Sequence, residues 1–128
     1  MTATTTVRHG VRVLQLSESG PAIAGESDAT DLLGEAYGAQ AEIVAVPVGR
    51  LTPEFVRLSS GVAGAIVQRF VNHRLRLVVI GSLDHLGPAT GPVADWVHEA
   101  NGGDDLWFVD DLDELDARLR GADMSTPS

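Results

Sequence analysis

The chain has no cysteine and no lysine among its 128 residues. The lack of cysteine excludes disulfides, a thiol nucleophile and a thiolate metal site. Since disulfides accumulate in oxidising compartments, we expect a cytoplasmic protein. The lack of lysine excludes the phosphate-binding loop that ends in Gly-Lys-Ser or Gly-Lys-Thr.

Long apolar runs are also missing. No stretch of the sequence approaches the roughly 20 apolar residues that a membrane-spanning helix needs. The first residues, Met-Thr-Ala-Thr-Thr-Thr, contain neither the basic region nor the apolar stretch of a secretory signal. The sequence therefore predicts a protein without a membrane partner.

Positive charge is scarce. Nine arginines stand against 18 acidic residues, so the formal net charge is −9. An acidic surface repels phosphate backbones, and we expect no nucleic-acid partner. Base stacking needs a basic groove as well as aromatic rings, so Trp96 and Trp107 are interpreted as core or edge residues. The acids that gather between Asp104 and Asp116 are typical of a solvated face.

Apolar periodicity predicts strands and helices in alternation along most of the chain. Apolar runs indicate strands, and apolar spacings of three and four residues indicate helices. The run Leu75–Gly81 is nearly all apolar, as expected for a central strand covered on both faces. The predicted strands span residues 5–8, 11–16, 41–46, 75–81 and 106–109, and the predicted helices span residues 29–37, 59–73, 92–100 and 112–119.

The order of these elements, ββαβαβαβα, defines the fold class. Strands separated by helices require right-handed crossovers, which give a mainly parallel sheet. A turn at His9-Gly10 makes the first two strands a hairpin. We therefore predict an α/β fold: a single-layer, mainly parallel sheet with an antiparallel N-terminal hairpin strand and packed helices. Residues 5–120 are expected to form one domain, with residues 1–4 and 121–128 as flexible tails.

Capping residues predict where the helices begin and end. We expect Ser27 or Asp28 to cap the first helix and Gly38 to end it. The last helix is expected to be capped by Asp111 or Asp113, because aspartate is among the preferred N-cap residues.

Ser59-Ser60-Gly61 stands at the predicted start of the helix before the central strand. Free N–H groups and the helix dipole at such a start could bind an anion, so all three residues are candidates for ligand or partner binding. The alternative is an ordinary N-cap, for which serine is one of the commonest residues.

A second polar group, Ser82, Asp84 and His85, follows the predicted central strand. Ligands of parallel sheets meet the carboxyl ends of the strands, which here carry 47–50, 82–85 and 110–111. Ser82 is therefore a candidate for binding, and His85 and Asp84 are the candidates for acid–base catalysis. The alternative is a polar loop, because triads assemble from separate segments and no Gly-x-Ser-x-Gly elbow is present.

The histidines show no spacing that would hold a metal ion. His9, His73, His85 and His98 form neither His-x-x-x-His nor His-Glu-x-x-His. The segment 61–64, Gly-Val-Ala-Gly, lacks the Gly-x-Gly-x-x-Gly pattern of dinucleotide binding. We predict neither a metal nor a cofactor.

Several short motifs occur in the order typical of one bacterial family. The sequence resembles the family described as domain of unknown function 4180, over about residues 6–120. The family's name states that no activity is established, so the resemblance implies no chemistry. The motifs that carry it are Pro53-Glu54-Phe55, Gly61–Gly64, Gln68–Arg74, Val79-Ile80-Gly81, Glu99-Ala100-Asn101 and Trp107-Phe108-Val109.

Leu58-Ser59-Ser60-Gly61 carries a second resemblance, to the STAS domains of anti-sigma-factor antagonists and sulfate transporters. Those domains have Asp-Ser-Ser-Gly before a helix and a core strand, and their first serine is phosphorylated. The resemblance implies a STAS-like fold and phosphorylation at Ser59. The chain departs from the motif where Leu58 stands in place of the acid.

The sequence favours a non-catalytic binding or regulatory domain. Its contact surface would be the rim around Ser59, Ser60, Ser82, Asp84 and His85, and its partner a protein or a small ligand. The alternative is a small enzyme with a pocket on the same rim and His85 as acid or base. A domain that only forms a homodimer through the hairpin edge is a third hypothesis. Concavity discriminates among them, because an enzyme needs a pocket that contains a titratable group.

Overall fold

The computed structural model contains one five-stranded sheet and four α-helices. The strands are β1 (Ala3–Arg8), β2 (Val11–Leu16), β3 (Ile43–Pro47), β4 (Arg76–Ile80) and β5 (Leu106–Val109). The helices are α1 (Glu26–Ala39), α2 (Val62–Asn72), α3 (Gly91–Asn101) and α4 (Leu112–Ser125). Short 3-10 helices at Val48–Arg50 and Pro53–Phe55 follow β3. The described residues are 3–18, 20, 22–23, 25–55, 57, 61–82, 91–103 and 105–125.

The strands lie in the sheet in their chain order, β1-β2-β3-β4-β5. β1 pairs with β2 in antiparallel fashion, and the three following pairs are parallel. The turn between β1 and β2 has positive φ at His9 (51°) and Gly10 (81°), the combination that a two-residue type I′ hairpin turn requires. The structure confirms the predicted α/β fold and its antiparallel edge strand.

The first face of the sheet packs against α1, α2 and α3. Strand positions such as Leu14, Val44 and Val79 share one core with Leu32 of α1 and Phe70 of α2. The strand order explains why these helices share a face. Each right-handed crossover moves the chain one strand further in the same direction, so each connecting helix falls on the same side.

The second face is covered by α4, among the helices described. Leu115 and Leu119 of α4 are buried against Val13, Val78 and Trp107, which alternate along their strands with first-face residues. α4 reaches as far as the β1 edge, where Arg8 donates to Asp116 at 2.8 Å. One helix therefore crosses a sheet whose other face holds three.

α1 begins and ends at residues other than those predicted. Gly25 occupies its N-cap position and provides no side-chain hydrogen bond, so neither Ser27 nor Asp28 is the cap. Gly38 lies inside the helix, and the prediction that it ends α1 is wrong. Gln40 ends the helix in a left-handed conformation (φ 56°), and its N–H is directed to the carbonyls of Ala36 and Tyr37.

The structure also gives new bounds for the other helices. α2 begins at Val62 with Gly61 at the N-cap position, so the prediction that Ser59 or Ser60 caps this helix is wrong. α4 extends to Ser125, beyond its predicted last turn. Among the helices of the described residues, none is long and apolar enough to cross a membrane.

Candidate functional site

An open cleft of about 960 Å³ lies at the carboxyl ends of the strands. It is bounded by the ends of β2, β3 and β4, by the turn after β5 and by the start of α4. The rule that ligands of parallel sheets bind at the carboxyl ends of the strands predicted this edge. The described residues that line it are Gln15, Leu16, Ser17, Glu18, Pro47, Val48, Gly49, Ile80, Gly81, Asp110, Asp111, Leu112 and Asp113.

The cleft opens on the second face of the sheet. Gln15 and Pro47 each follow a second-face core residue by two positions, so they share its face. Ile80 and Leu112 are partly buried against the same core. These residues give the cleft an apolar floor with one amide, the side chain of Gln15.

Four carboxylates lie along the wall of the cleft, namely Glu18, Asp110, Asp111 and Asp113. All four residues are exposed, and no arginine is among the described lining residues. The cleft is therefore complementary in charge to a cation and unfavourable for an anion.

One of these carboxylates fixes the start of α4. The Oδ1 atom of Asp111 accepts a hydrogen bond from the Glu114 N–H at 2.8 Å, which is the bond of an N-cap. The Glu114 side chain in turn accepts from the Asp110 N–H. Asp111 is thus the cap that the sequence predicted, and Asp113 is not. The paired bonds hold the acidic wall against the end of β5.

Close packing forms the floor beside Gly81. This residue has φ 120°, and a Cβ built on it would lie 2.7 Å from Cγ1 of Val48. Its N–H donates to the Val109 carbonyl at 2.9 Å. Glycine is required here because any other residue would be strained at this φ and its side chain would clash with Val48.

Arg50 holds the segment that carries Glu18. The residue is 5% exposed, and its Nη1 atom donates to the Ser17 carbonyl at 2.8 Å. Its own carbonyl accepts from the Ile23 N–H at 2.7 Å. Arg50 thus links the end of β2 to the 3-10 helix after β3, which are two walls of the cleft.

The structure places few of the predicted site residues. Gly61 and Ser82 are described, and neither lines the cleft. Gly61 begins α2, which packs on the first face of the sheet, and Ser82 is exposed just after Gly81. The remaining candidates, Ser59, Ser60, Asp84 and His85, lie outside the described residues.

The predicted strand ends identified the cleft better than the predicted site residues did. Of the segments predicted for this edge, Pro47, Val48 and Gly49 line it, as do Asp110 and Asp111. No sequence pattern predicted that Gln15, Glu18 or Leu112 would line a cleft, and Ile80 was marked only as part of a family motif. In the described part of the chain, no group of three or more histidine or acidic side chains has the geometry to hold a metal ion.

The fold and the cleft define a small α/β domain that carries an open, acidic cleft at the carboxyl ends of its strands. The chain belongs to the family described as domain of unknown function DUF4180, whose model matches residues 8–119. This match confirms the resemblance predicted from the motifs. No curated protein and no solved structure matches the chain. The resemblance to STAS domains stays a prediction.

Proposed function

We propose that the protein is a non-catalytic binding or regulatory domain whose partner docks in the acidic cleft. The observation that carries this proposal is the cleft itself. Its volume of about 960 Å³ lies within the roughly 300–1,000 Å³ of sites that bind ligands. Its place at the carboxyl ends of parallel strands is where α/β sheets commonly bind.

The lining indicates the chemistry of the partner. An apolar floor favours contact with an apolar group, and the carboxylates of Asp110 and Asp113 favour a cation beside it. A protein segment with an arginine flanked by apolar side chains has both properties. The guanidinium group can form paired hydrogen bonds to a carboxylate, so arginine fits this wall better than lysine does.

A pair of synthetic peptides tests this chemistry. The probe is a capped peptide in which leucine and arginine alternate, and its match has citrulline in place of every arginine. Citrulline keeps the shape of the side chain and removes its charge. We expect the arginine peptide to bind more tightly by about tenfold or more, because a hydrogen bond to a charged group contributes about 1.5–3 kcal/mol. Calorimetric titration of both peptides measures the difference.

Neutral variants of the wall provide the control. Asp110→Asn with Asp113→Asn removes two charges from the cleft without touching the Asp111 cap. Asp95→Asn removes a charge from an exposed position on α3, at the first face. The proposal predicts that the double variant loses the preference for arginine and that Asp95→Asn keeps it. Equal binding of both peptides to the wild-type protein would contradict the proposed chemistry.

The small-enzyme hypothesis keeps one observation in its favour, since the carboxyl-end rim is concave. In that hypothesis His85 acts as acid or base. Incubation separates the two hypotheses: the non-catalytic proposal predicts that the arginine peptide is recovered chemically unchanged, and conversion to a product that His85→Gln no longer forms would favour the enzyme.

Phosphorylation of Ser59 stays a prediction that accompanies the regulatory proposal. Phosphate would add about −1.5 to −2 charges to an acidic protein. We expect a Ser59→Asp variant to stay folded and to bind the arginine peptide more tightly, because the added charge is opposite to that of arginine. Equal partner binding by the wild type and the variant would show that Ser59 is not a switch.

A further inference from the structure

We infer that the β1 edge of the sheet is a homodimer interface, at which two copies pair their β1 strands in antiparallel orientation. The two edges of the sheet differ in how they are protected. β1 and β5 are the outer strands. An outer strand presents unpaired N–H and C=O groups, and natural proteins commonly protect such an edge.

The β5 edge is protected. The strand is only four residues long, and the side-chain oxygen of Asn101 accepts a hydrogen bond from the Phe108 N–H at 2.7 Å. The Asn101 carbonyl in turn accepts from the guanidinium group of Arg118. A backbone donor that faces away from β4 is thus already satisfied by a side chain, and the edge is closed to a further strand.

The β1 edge has no such protection among the described residues. The strand is six residues long and pairs with β2 without a bulge. It contains Thr4, Thr5, Thr6 and Val7, which are all residue types that favour strands. Its charged residue, Arg8, is paired with Asp116 at 2.8 Å. Lysine, proline and bulges, the usual devices against edge pairing, are all absent from it.

The outer hydrogen-bonding groups of β1 belong to alternate residues. The Arg12 carbonyl accepts from the Glu42 N–H at 2.8 Å, so Arg12 directs its backbone groups to the β3 side. Val7 is opposite Arg12 in the antiparallel register and therefore directs its own groups outward. Because direction alternates along a strand, Thr5 and Ala3 do the same.

This pattern is self-complementary. If Thr5 pairs with the partner's Thr5, then Val7 lies opposite the partner's Ala3. Both of these pairs join residues whose backbone groups point outward, and they alternate with pairs that make no hydrogen bond, as the antiparallel pattern requires. A two-fold axis through Thr5 would join the two sheets into one continuous sheet.

The self-complementary register indicates that the occupant is a second copy of this chain, and an exposed apolar side chain lies on the strand that would pair. Val7 is 63% exposed and Tyr37 is 87% exposed, and they are the large hydrophobic residues exposed among those described. Arg12 connects them: it is opposite Val7, and its Nη1 atom lies 3.4 Å from the Ala39 carbonyl in the last turn of α1, which also contains Tyr37. In this register Val7 of each copy lies opposite the partner's Ala3, so pairing of the two β1 strands would cover the exposed side chain of Val7.

Sedimentation equilibrium over a range of concentrations tests the inference with a proline variant. Thr5→Pro removes an outward N–H group and leaves the bonds between β1 and β2 in place, because proline is tolerated on an edge strand at such a position. We expect a dimer for the wild type and a dissociation constant raised about tenfold or more for Thr5→Pro, since both copies lose a hydrogen bond. Added salt should tighten the wild-type dimer, because it screens the repulsion between two acidic chains.

The matched control is Thr5→Val, which keeps the N–H group and the shape of the side chain, and it should dimerise as the wild type does. If circular dichroism shows that Thr5→Pro does not fold, Val7→Lys provides the test, because a lysine on the edge discourages pairing without changing the backbone. A wild-type protein that stays monomeric at every concentration would overturn the inference. So would a folded Thr5→Pro variant, or Val7→Lys in its place, that dimerises as tightly as the wild type.

Discussion

The two faces of the sheet are covered unequally. The first face packs against three helices and includes the aromatic group of Phe55, Trp96 and Phe108, whose neighbouring ring centroids lie 5.9 and 5.2 Å apart. The second face packs against α4, whose buried contacts are made by Leu115 and Leu119. One helix cannot cover a sheet of this width, so part of the second face stays accessible.

The accessible part becomes the cleft because of where α4 begins. The helix starts directly after β5, and its cap at Asp111 keeps its first turn at the carboxyl ends of the strands. From there it crosses toward β1, where Arg8 meets Asp116. The corner at the ends of β2 and β3 is left open. The difference between the two faces thus shows that the path of α4 determines where the cleft lies.

The largest effect is expected in the core of the first face. Phe70 of α2 is fully buried in the core between the sheet and the first-face helices, and Phe70→Ala should reduce the free energy of unfolding by about 3–5 kcal/mol. Leu115→Ala, the counterpart on the second face, should cost about 2–5 kcal/mol and fall at or below the Phe70 value. Urea unfolding of both variants measures the pair. A larger loss of unfolding free energy for Leu115→Ala than for Phe70→Ala would contradict this order of the two faces.

A smaller loss of stability is expected for a substitution at Gly81, beside the cleft. Gly81→Ala places a residue with a side chain at φ 120° and adds a clash with Val48, so we expect a loss of about 1–3 kcal/mol. Val48→Ala in the same chain should recover the part of this loss that comes from the clash. Additive losses in the double-mutant cycle would mean that the two residues do not meet at the floor.

The N-cap of α4 should contribute still less to the free energy of unfolding. Asp111→Ala removes the acceptor of the Glu114 N–H, and a loss of about 0.5–2 kcal/mol is expected. Asp113→Ala is the control, because Asp113 is an exposed residue in the same turn and does not provide the cap. Its effect should stay within about 0.5 kcal/mol. Thermal unfolding of the two variants distinguishes them, and equal losses would show that Asp111 is not the cap.

The smallest change in stability is expected for the wall of the cleft. Asp110 and Asp113 are exposed, so replacing both with asparagine should change the free energy of unfolding by no more than about 0.5 kcal/mol for each. The same variant should lose its preference for the arginine peptide. A large loss of stability would show that these carboxylates serve the fold rather than the cleft.

The sequence predicted the sheet well because its signals are local. The apolar run at 75–81 and the pair His9-Gly10 define a strand and a turn without reference to the rest of the chain. The end of α1 could not be predicted in this way. Glycine ends many helices, but Gly38 continues this one, and Gln40 adopts the left-handed conformation instead. That choice depends on the contacts of the folded chain more than on intrinsic preference.

The cleft was predicted only in part, for a different reason. The carboxyl-end rule identified Pro47 and Asp110 because it depends on strand order alone. Gln15 and Ile80 lie on separate strands, and no sequence pattern joins them in one site. They form a site only because α4 leaves that corner of the second face uncovered. A pattern of single residues cannot give the path of a helix across a sheet.

The uncovered corner is the proposed binding surface, and nuclear magnetic resonance with the arginine peptide tests this role most directly. The amide signals of Gly49 and Gly81 report on the cleft, and those of Gly34 and Gly64 report on helices of the first face. We expect titration with the arginine peptide to shift the amide signals of Gly49 and Gly81 and to leave those of Gly34 and Gly64 in place. The citrulline peptide should shift all four signals little. Shifts confined to Gly34 and Gly64, or no shift at Gly49 and Gly81, would contradict this role.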